Sequence, residues 1–187
     1  RGLGDVYKRQ EHYSRFLKKP SIKTLIEKSL GMPIDEAIPK ESSKIRKIIE
    51  ITESWLLSKR KVTILCSFIR VSKKLFDEFK NRGHKTFLIT GKTINKGEIL
   101  NQFKTEKEPA VLVMTPVGER DIDLADIELI LVHDVISTVK TMYQRFKRGR
   151  NCFVVILYYD GTFEERKVNK LLHRMKISYP WSIKIEK

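Results

Sequence analysis

The segment YQRFKRGR, residues 143–150, concentrates four cations around one glycine. Guanidinium forks suit bidentate contacts with phosphate, and several of them close together repel one another unless an anion is bound. A solvated charged face is the alternative interpretation. The position favours phosphate binding, because the cluster follows a predicted helix and stands immediately before a buried apolar run. The cations are Arg145, Lys147, Arg148 and Arg150.

A second unusual segment, TPVGERDID at 115–123, places three carboxylates and a glycine between the apolar runs VLVM and IELILVH. Such acids are unexpected in a chain with a formal net charge of +15. One interpretation is that Asp121 and Asp123 cap a turn or pair with Arg120. The other is that this loop belongs to the same site as the arginine cluster.

Apolar runs and amphipathic stretches alternate along the sequence, and they predict the strands and helices that position both segments. Continuous apolar runs predict strands at 62–68, 85–90, 110–114, 127–133 and 152–159. Helical periodicity predicts helices from Lys44 to about 59–61 and at 71–83, 94–104, 137–147 and 162–176. In the last helix, Thr162 and Glu165 form a capping box. The alternation predicts an α/β fold, a parallel sheet with helices on both faces, preceded by an N-terminal helical extension.

Ligands of such sheets bind beyond the carboxyl ends of the strands, which directs attention to the loops there. The loop TGKT at 90–93 is not a P-loop, because GxxxxGK[ST] requires glycine at position 86, where Thr86 stands. Two interpretations of this loop stay open. Gly91 supplies a positive φ in a turn that exposes Lys92, or Gly91 and Thr93 offer donors to a nucleic-acid phosphate.

The composition of the chain indicates which classes of partner it binds. The isoelectric point of about 9.8 favours a polyanion such as nucleic acid, whereas no basic amphipathic helix of the membrane-surface type is evident. No run approaches the roughly 20 apolar residues of a membrane span. Cys66 and Cys152 lie in apolar runs and are expected to be buried free thiols, and no histidine or cysteine spacing predicts a metal site.

The order of these segments resembles the second RecA-like lobe of superfamily 2 helicases, over roughly residues 41–175. The strongest similarity is between TPVGERDID and the family's motif V, T-S-V-G-E-E-G-L-D. YQRFKRGR is similar to motif VI, Q-R-x-G-R-T-G-R. The resemblance is greatest to the archaeal Hef helicase–nuclease and the Fanconi-anaemia M-type fork translocases, with features of the related XPF nucleases.

The resemblance implies roles for individual residues. Arg145, Arg148 and Arg150 would be catalytic, with Arg145 at the opening of motif VI and with Arg148 and Arg150 in the region of the arginine finger. Gly118, Glu119, Asp123 and Gln144 would line the nucleotide, with Asp123 approaching its ribose. Contacts with nucleic acid would come from Ser67 and Arg70 of motif IV, to which Phe68 also belongs, and from Gly91, Lys92 and Thr93 of the next loop. Thr115 would contact the nucleic-acid backbone from motif V.

The sequence departs from the family's motifs at two places and lacks the motifs of the first lobe, and these differences affect the expected activity. Asp121 stands where the family has glycine, and Lys147 replaces the first glycine of motif VI with one residue fewer before Gly149. The sequence holds neither a Walker A lysine motif nor a DExD/H box. The resemblance therefore implies that ATP and Mg²⁺ are held mainly by a first lobe outside this chain, that the chain alone is inactive, and that it is a fragment.

The expected function is the C-terminal motor lobe of an ATP-dependent DNA helicase or translocase of DNA repair, with RNA not excluded as the substrate. The first alternative is a degenerate lobe that serves as a DNA-binding scaffold of an XPF-like nuclease. The second is an unrelated doubly wound domain that binds a nucleotide or flavin. The partners would be DNA and the first lobe, without a membrane, in the cytoplasm or nucleoid. We expect a non-native segment at 1–10, a helical extension at 11–40, the lobe at 41–176 and a tail at 177–187.

Overall fold

The computed structural model describes residues 24, 28, 31, 42–115, 127–135 and 152–180. Thr24 and Lys28 are helical, and Gly31 lies in a turn with a φ of +68°. They belong to a first compact unit that ends at Ser42, and a second unit begins at Ser43. The second unit contains every element described below.

The described part of the second unit contains four helices and five strands. The helices are α1 (Ser43–Leu57), α2 (Ile69–Asn81), α3 (Lys96–Thr105) and α4 (Phe163–Ser178). The strands are β1 (Val62–Leu65), β2 (Lys85–Ile89), β3 (Ala110–Met114), β4 (Leu129–Val132) and β5 (Phe153–Ile156). All neighbouring strands pair in parallel, in the order β2-β3-β1-β4-β5. The predicted α/β fold is confirmed.

Alternate side chains of the sheet enter two separate cores, one on each face. On one face, Val62, Ile64 and Leu131 pack with the apolar sides of α1 and α2, represented by Ile48 and Leu75. On the other face, the opposite side chains of the same strands pack with α3 and α4. Because β1, β3 and β4 are buried along their whole length, their sequences are continuously apolar apart from Thr63. Helices therefore cover both faces, as the sequence predicts.

Several predicted strands are too long at the carboxyl end. The strand predicted at 62–68 ends at Leu65, although the N–H of Cys66 still donates to the carbonyl of Met114 at 2.9 Å. The next N–H, that of Ser67, donates to a side chain instead of a neighbouring strand, which ends the ladder. The strand predicted at 152–159 ends at Ile156, before the exposed Tyr158.

The start of α4 differs in detail from the predicted capping box. Thr162 is the N-cap, and its hydroxyl oxygen accepts from the N–H of Glu164 at 3.2 Å. Glu165 accepts from the N–H of Gly161 at 3.0 Å, where the predicted partner was Thr162. Gly161 has a φ of +68°, which turns its N–H toward the first turn of the helix. Two backbone donors are thus satisfied, one of them by an unpredicted pairing.

Both cysteines are free thiols. Cys66 is buried, as predicted, and burial with the nearby negative charge of Asp134 raises its thiol pKa well above the ordinary value. Cys152 is only half-buried, and burial raises its pKa as well. No helix in the described ranges is long and apolar enough to cross a bilayer.

Candidate nucleic-acid interface at the carboxyl edge of the sheet

The carboxyl edge of the sheet is level across its five strands. The last residues of four strands stand side by side, since Leu65 pairs with both Met114 and Val132, and Val132 pairs with Ile156. Ile89 pairs with Met114 in the same row. One more backbone bond in each of the four strand pairs continues the row, from the N–H groups of Cys66, Thr115, His133 and Leu157. Loops that follow these strands therefore leave the sheet at the same height.

The topological switch point of the sheet lies between β1 and β4. The chain leaves β1 toward β2 on one side and leaves β4 toward β5 on the other, the arrangement at which sheets of this kind bind ligands. At this switch point, the backbone N–H of Ser67 donates to Oδ2 of Asp134 at 3.2 Å. Ser67 is 8% exposed, so the Asp134 carboxylate fixes a buried residue of the loop after β1.

Asp134 also lies against a buried histidine. Nδ1 of His133 is 2.8 Å from Oδ1 of Asp134, a close polar contact, although the two atoms lack the alignment of a hydrogen bond. Burial acts to raise the Asp134 pKa, but contact with His133, the Ser67 N–H and the charge of Lys44 together outweigh it. They hold the pKa below its ordinary value. Asp134 is thus a carboxylate that the surrounding structure keeps ionised.

A buried lysine joins the start of α1 to this corner. Lys44 is 5% exposed, and its Nζ donates to the carbonyl of His133 at 2.8 Å and pairs with Oε1 of Glu164. The same ammonium lies 5.1 Å from the centroid of the Tyr159 ring, within the range of a cation–π contact. The other oxygen of Glu164 accepts from the N–H of Tyr159 at 3.2 Å. Three chain segments are therefore tied at the carboxyl ends of β4 and β5.

The loop after β2 is a hydrogen-bonded turn that exposes its lysine. Thr93 Oγ1 accepts from the N–H of Thr90 at 2.9 Å, and the N–H of Thr93 donates back to the Thr90 carbonyl at 3.1 Å. The N–H of Lys92 donates to Thr90 Oγ1 at 3.2 Å. Gly91 is not among the glycines with positive φ, so the interpretation that it supplies one is wrong. Gly91 and Lys92 are exposed, whereas the Thr93 hydroxyl oxygen is already used inside the turn.

The start of α2 adds a second cation and a set of backbone donors. Phe68 is the N-cap and makes no side-chain capping bond, and no acidic residue occurs in the first turn. The first-turn N–H groups and the positive end of the helix dipole therefore face this edge without a carboxylate of their own helix. Arg70, the second residue of α2, is exposed here. The arrangement favours an anion.

Thr115, which follows β3, is less available. It is 3% exposed, and its hydroxyl has no hydrogen-bond partner in the part of the chain that is described. Its N–H donates to the carbonyl of Ile89 at 3.0 Å. The hydroxyl is therefore too buried for a phosphate to reach without a local rearrangement, and the backbone N–H is already used within the sheet.

All six residues with a predicted nucleic-acid role lie at one edge, at or beyond the ends of β2, β3 and β1, which are neighbours in the sheet. The remaining predicted residues fall outside the described ranges: Gly118, Glu119, Asp123, Gln144, Arg145, Arg148 and Arg150. Within those ranges, no cluster of histidine, cysteine, aspartate or glutamate is placed to hold a metal ion.

Two residues of this corner were missed by sequence reasoning. Asp134 stands in the loop HDVIST after β4, and its acidic side chain directly after an apolar strand was an available signal. No sequence signal marked Lys44, because its partner Glu164 is 120 residues away and a lysine near a helix start normally faces solvent.

The fold and this edge define a RecA-like lobe of the helicase type. The model of the "Helicase conserved C-terminal domain" family matches residues 43–152. The chain belongs to this family, the C-terminal domain of superfamily 2 helicases, which excludes an unrelated nucleotide- or flavin-binding domain.

Among curated proteins, the chain is similar to the antiviral innate immune response receptor RIG-I of Sus scrofa and of Homo sapiens, each 26% identical over 137 residues. These alignments cover 71% of this chain but only 13% and 14% of the two receptors. The chain therefore corresponds to a small part of each relative.

Three solved structures share the fold. The C-terminal part of the Fun30 ATPase domain has a TM-score of 0.62 at 17% identity, covering 83% of this chain and 61% of its own. The Pyrococcus furiosus Hef helicase domain has a TM-score of 0.58 at 23% identity, covering 90% of this chain and 37% of its own. The Sulfolobus solfataricus SWI2/SNF2 ATPase core in complex with dsDNA has a TM-score of 0.61 at 21% identity, covering 74% of this chain and 31% of its own. At these identities the similarity concerns the fold, and a particular closeness to Hef stays a prediction.

Proposed function

We propose that this chain is the C-terminal motor lobe of an ATP-dependent helicase or translocase and that the carboxyl edge over β2, β3 and β1 contacts nucleic acid. The observation that carries the proposal is the common position of Arg70 and Lys92. Both are exposed cations at the same edge, beside the uncapped start of α2. A phosphodiester backbone supplies phosphates that these two exposed cations can contact.

The proposal is tested by the binding of a fluorescein-labelled single-stranded oligonucleotide to the 187-residue chain, followed by anisotropy at several salt concentrations. In the variant Arg70→Gln/Lys92→Gln, the slope of log K against log salt should become less negative by about 1.4, since each lost contact with a single strand removes about 0.7. A charge-matched control is Lys80→Gln/Lys107→Gln, whose exposed side chains lie at the opposite edge of the sheet, near the amino ends of the strands.

The control should retain both the affinity and the salt slope of the parent chain. If the two double variants weaken binding equally, the chain binds through net charge alone and the edge has no special role. If the edge variant binds like the parent, the proposed contact surface is wrong.

The nucleotide side of the proposal concerns residues outside the described ranges. Arg145, Arg148 and Arg150 would supply charge to the transferring phosphoryl group, while Gly118, Glu119, Asp123 and Gln144 would face the nucleotide. Asp134, the carboxylate at the switch point, is already engaged by Ser67 and His133 and so is not offered to Mg²⁺. We therefore expect Mg²⁺ and the phosphates to be held mainly by the first lobe, which is the implied partner.

An ATPase assay separates the motor from the scaffold. The chain, joined to a first RecA-like lobe of a related helicase, should hydrolyse ATP faster when DNA is added, and Arg148→Ala or Arg150→Ala should lower that rate by about 10³-fold, the scale of an arginine finger. Lys147→Ala serves as the neighbouring control. Binding of DNA without stimulated hydrolysis would favour the scaffold of an XPF-like nuclease, for which Asp121 and the shortened motif VI are the sequence evidence.

A further inference from the structure

A continuous basic stripe runs along the outward side of α4. Val168, Leu171 and Met175 turn the opposite side of this helix into the core with α3. The outward residues Arg166, Lys170 and Arg174 recur at intervals of four, which is about 6 Å of rise per step. All three are exposed, as is His173 beside them. The stripe therefore carries three fixed positive charges within about 12 Å.

The stripe lacks acidic neighbours on its own helix. The two carboxylates of α4, Glu164 and Glu165, are in its first turn and are only partly exposed. Glu164 pairs with Lys44, and Glu165 accepts from Gly161 and Asn169. An ordinary solvated helix face intersperses both signs at spacings of three and four, which stabilises the helix. Here the exposed side accumulates like charges, an arrangement that becomes favourable when an external polyanion is bound.

We propose that this α4 stripe, defined by Arg166, Lys170 and Arg174, is a second nucleic-acid-binding surface and that it takes the phosphate backbone of a duplex. A duplex presents about one negative charge per 1.7 Å of its axis, so the length of the stripe faces more phosphates than it has cations. The contacts are with backbone only, which makes the binding independent of sequence.

Duplex nucleic acid fits the stripe better than a membrane surface does. A helix that lies in a bilayer interface buries a broad apolar side, but the apolar side of α4 is already in the protein core. The exposed apolar residues of α4 are Phe163 and Ile177, one at each end of the stripe and about 21 Å apart. They leave the basic centre without an insertable apolar surface.

The α4 stripe is separate from the carboxyl edge. α4 covers the face of the sheet that it shares with α3, whereas Arg70 belongs to α2 on the other face. The inference therefore goes beyond the proposed function. It requires that a duplex binds on the α3–α4 side of the lobe, and it does not depend on how the loops of the carboxyl edge bind nucleic acid.

The experiment uses the full 187-residue chain carrying Arg70→Gln/Lys92→Gln, so that the edge cations are absent from every sample. The test variant adds Arg166→Gln, Lys170→Gln and Arg174→Gln. The matched control adds Arg46→Gln, Lys59→Gln and Lys80→Gln, which are exposed cations of α1, its carboxyl end and α2 on the opposite face. The probe is a labelled 20-base-pair duplex, and anisotropy is measured from low to high salt.

The test variant should lose about tenfold or more in affinity, and its salt slope should become less negative by about 2.7, three contacts at about 0.9 each. The control should keep the slope of the background chain. Circular dichroism and the midpoint of thermal unfolding check that α4 still folds, which the exposed positions and the helix propensity of glutamine favour.

Equal losses in the test variant and the control would overturn the inference, because net charge would then account for binding. It would also be overturned if the background chain bound polyglutamate, or vesicles containing phosphatidylserine, as tightly as the duplex at equal ionic strength. The edge cations are absent from every sample of this experiment. A negative result for the α4 stripe therefore does not contradict the proposed binding edge, and a negative result for the edge in its own assay does not contradict the α4 stripe.

Discussion

Lys44 and Glu164 are 120 residues apart in the chain, yet their side chains form a largely buried ion pair that joins the start of α1 to the first turn of α4. The lysine is 5% exposed and the glutamate 25%, so water screens the pair only partly. The His133 carbonyl takes a further hydrogen bond from the lysine at 2.8 Å. The first and last described helices of the lobe are thus held at the carboxyl ends of β4 and β5.

Removal of the buried ammonium should destabilise the lobe. We expect Lys44→Met to lower the free energy of unfolding by about 1–3 kcal/mol, because the His133 carbonyl and Glu164 lose a charged donor. Urea denaturation followed by circular dichroism measures the change. Lys47→Met is the matched control, since Lys47 is exposed and pairs with Glu50 one turn away, a contact of a few tenths of a kcal/mol. Equal effects in the two variants would contradict the structural role of the buried pair.

The Asp134 carboxylate should make stability depend on acid pH. Its pKa is below the ordinary value in the folded state, so it contributes stability above the unfolded pKa of about 4 and loses that contribution as pH falls through the folded pKa. We expect Asp134→Asn to be less stable than the parent by about 1–3 kcal/mol at pH 7 and the difference to shrink below roughly pH 4.

Urea denaturation at half-unit steps from pH 7 to pH 3 measures that difference. Asp160→Asn, in the exposed loop after β5, is the control and should change stability little. A gap between the parent and Asp134→Asn that stays constant over the whole range would show that the charge of Asp134 makes no net contribution.

Two glycines should respond in opposite ways to the same substitution. Gly161 has a φ of +68°, and alanine there should cost about 1 kcal/mol of backbone strain, although space for a Cβ is open. Gly97 lies in the first turn of α3 without a positive φ and with equally open space, so Gly97→Ala should stabilise by roughly 0.5–1 kcal/mol. Thermal unfolding of both variants gives the comparison. Midpoints that move in the same direction would contradict it.

The main features of the fold could be predicted because they follow from local pattern. Apolar runs located all five strands, and Gly83, which has a φ of +83°, closes the turn after α2 as predicted. Strand ends were harder to place, since Tyr158 favours a strand by residue type but lies beyond the last ladder bond of β5.

Some residues of the site could be predicted from the sequence, whereas those held by long-range contacts could not. The rule that ligands bind beyond the carboxyl ends of strands, with the resemblance to the helicase lobe, placed Ser67, Arg70 and Lys92 at one edge. Nothing in the sequence revealed that Asp134 would hold Ser67, because that bond depends on β1 and β4 being neighbours although two strands separate them in the chain. Long-range polar contacts require the strand order, which residue patterns alone leave open.

The equal height of the strand ends has a consequence for sequence variation in this lobe. Adding or deleting one residue in β3 would displace one loop by about 3.3 Å relative to its neighbours and turn every later side chain of that strand to the wrong core. Changes in length should therefore accumulate in the connections at the amino ends of the strands, such as 106–109 between α3 and β3, while the segments that reach the binding edge keep their spacing.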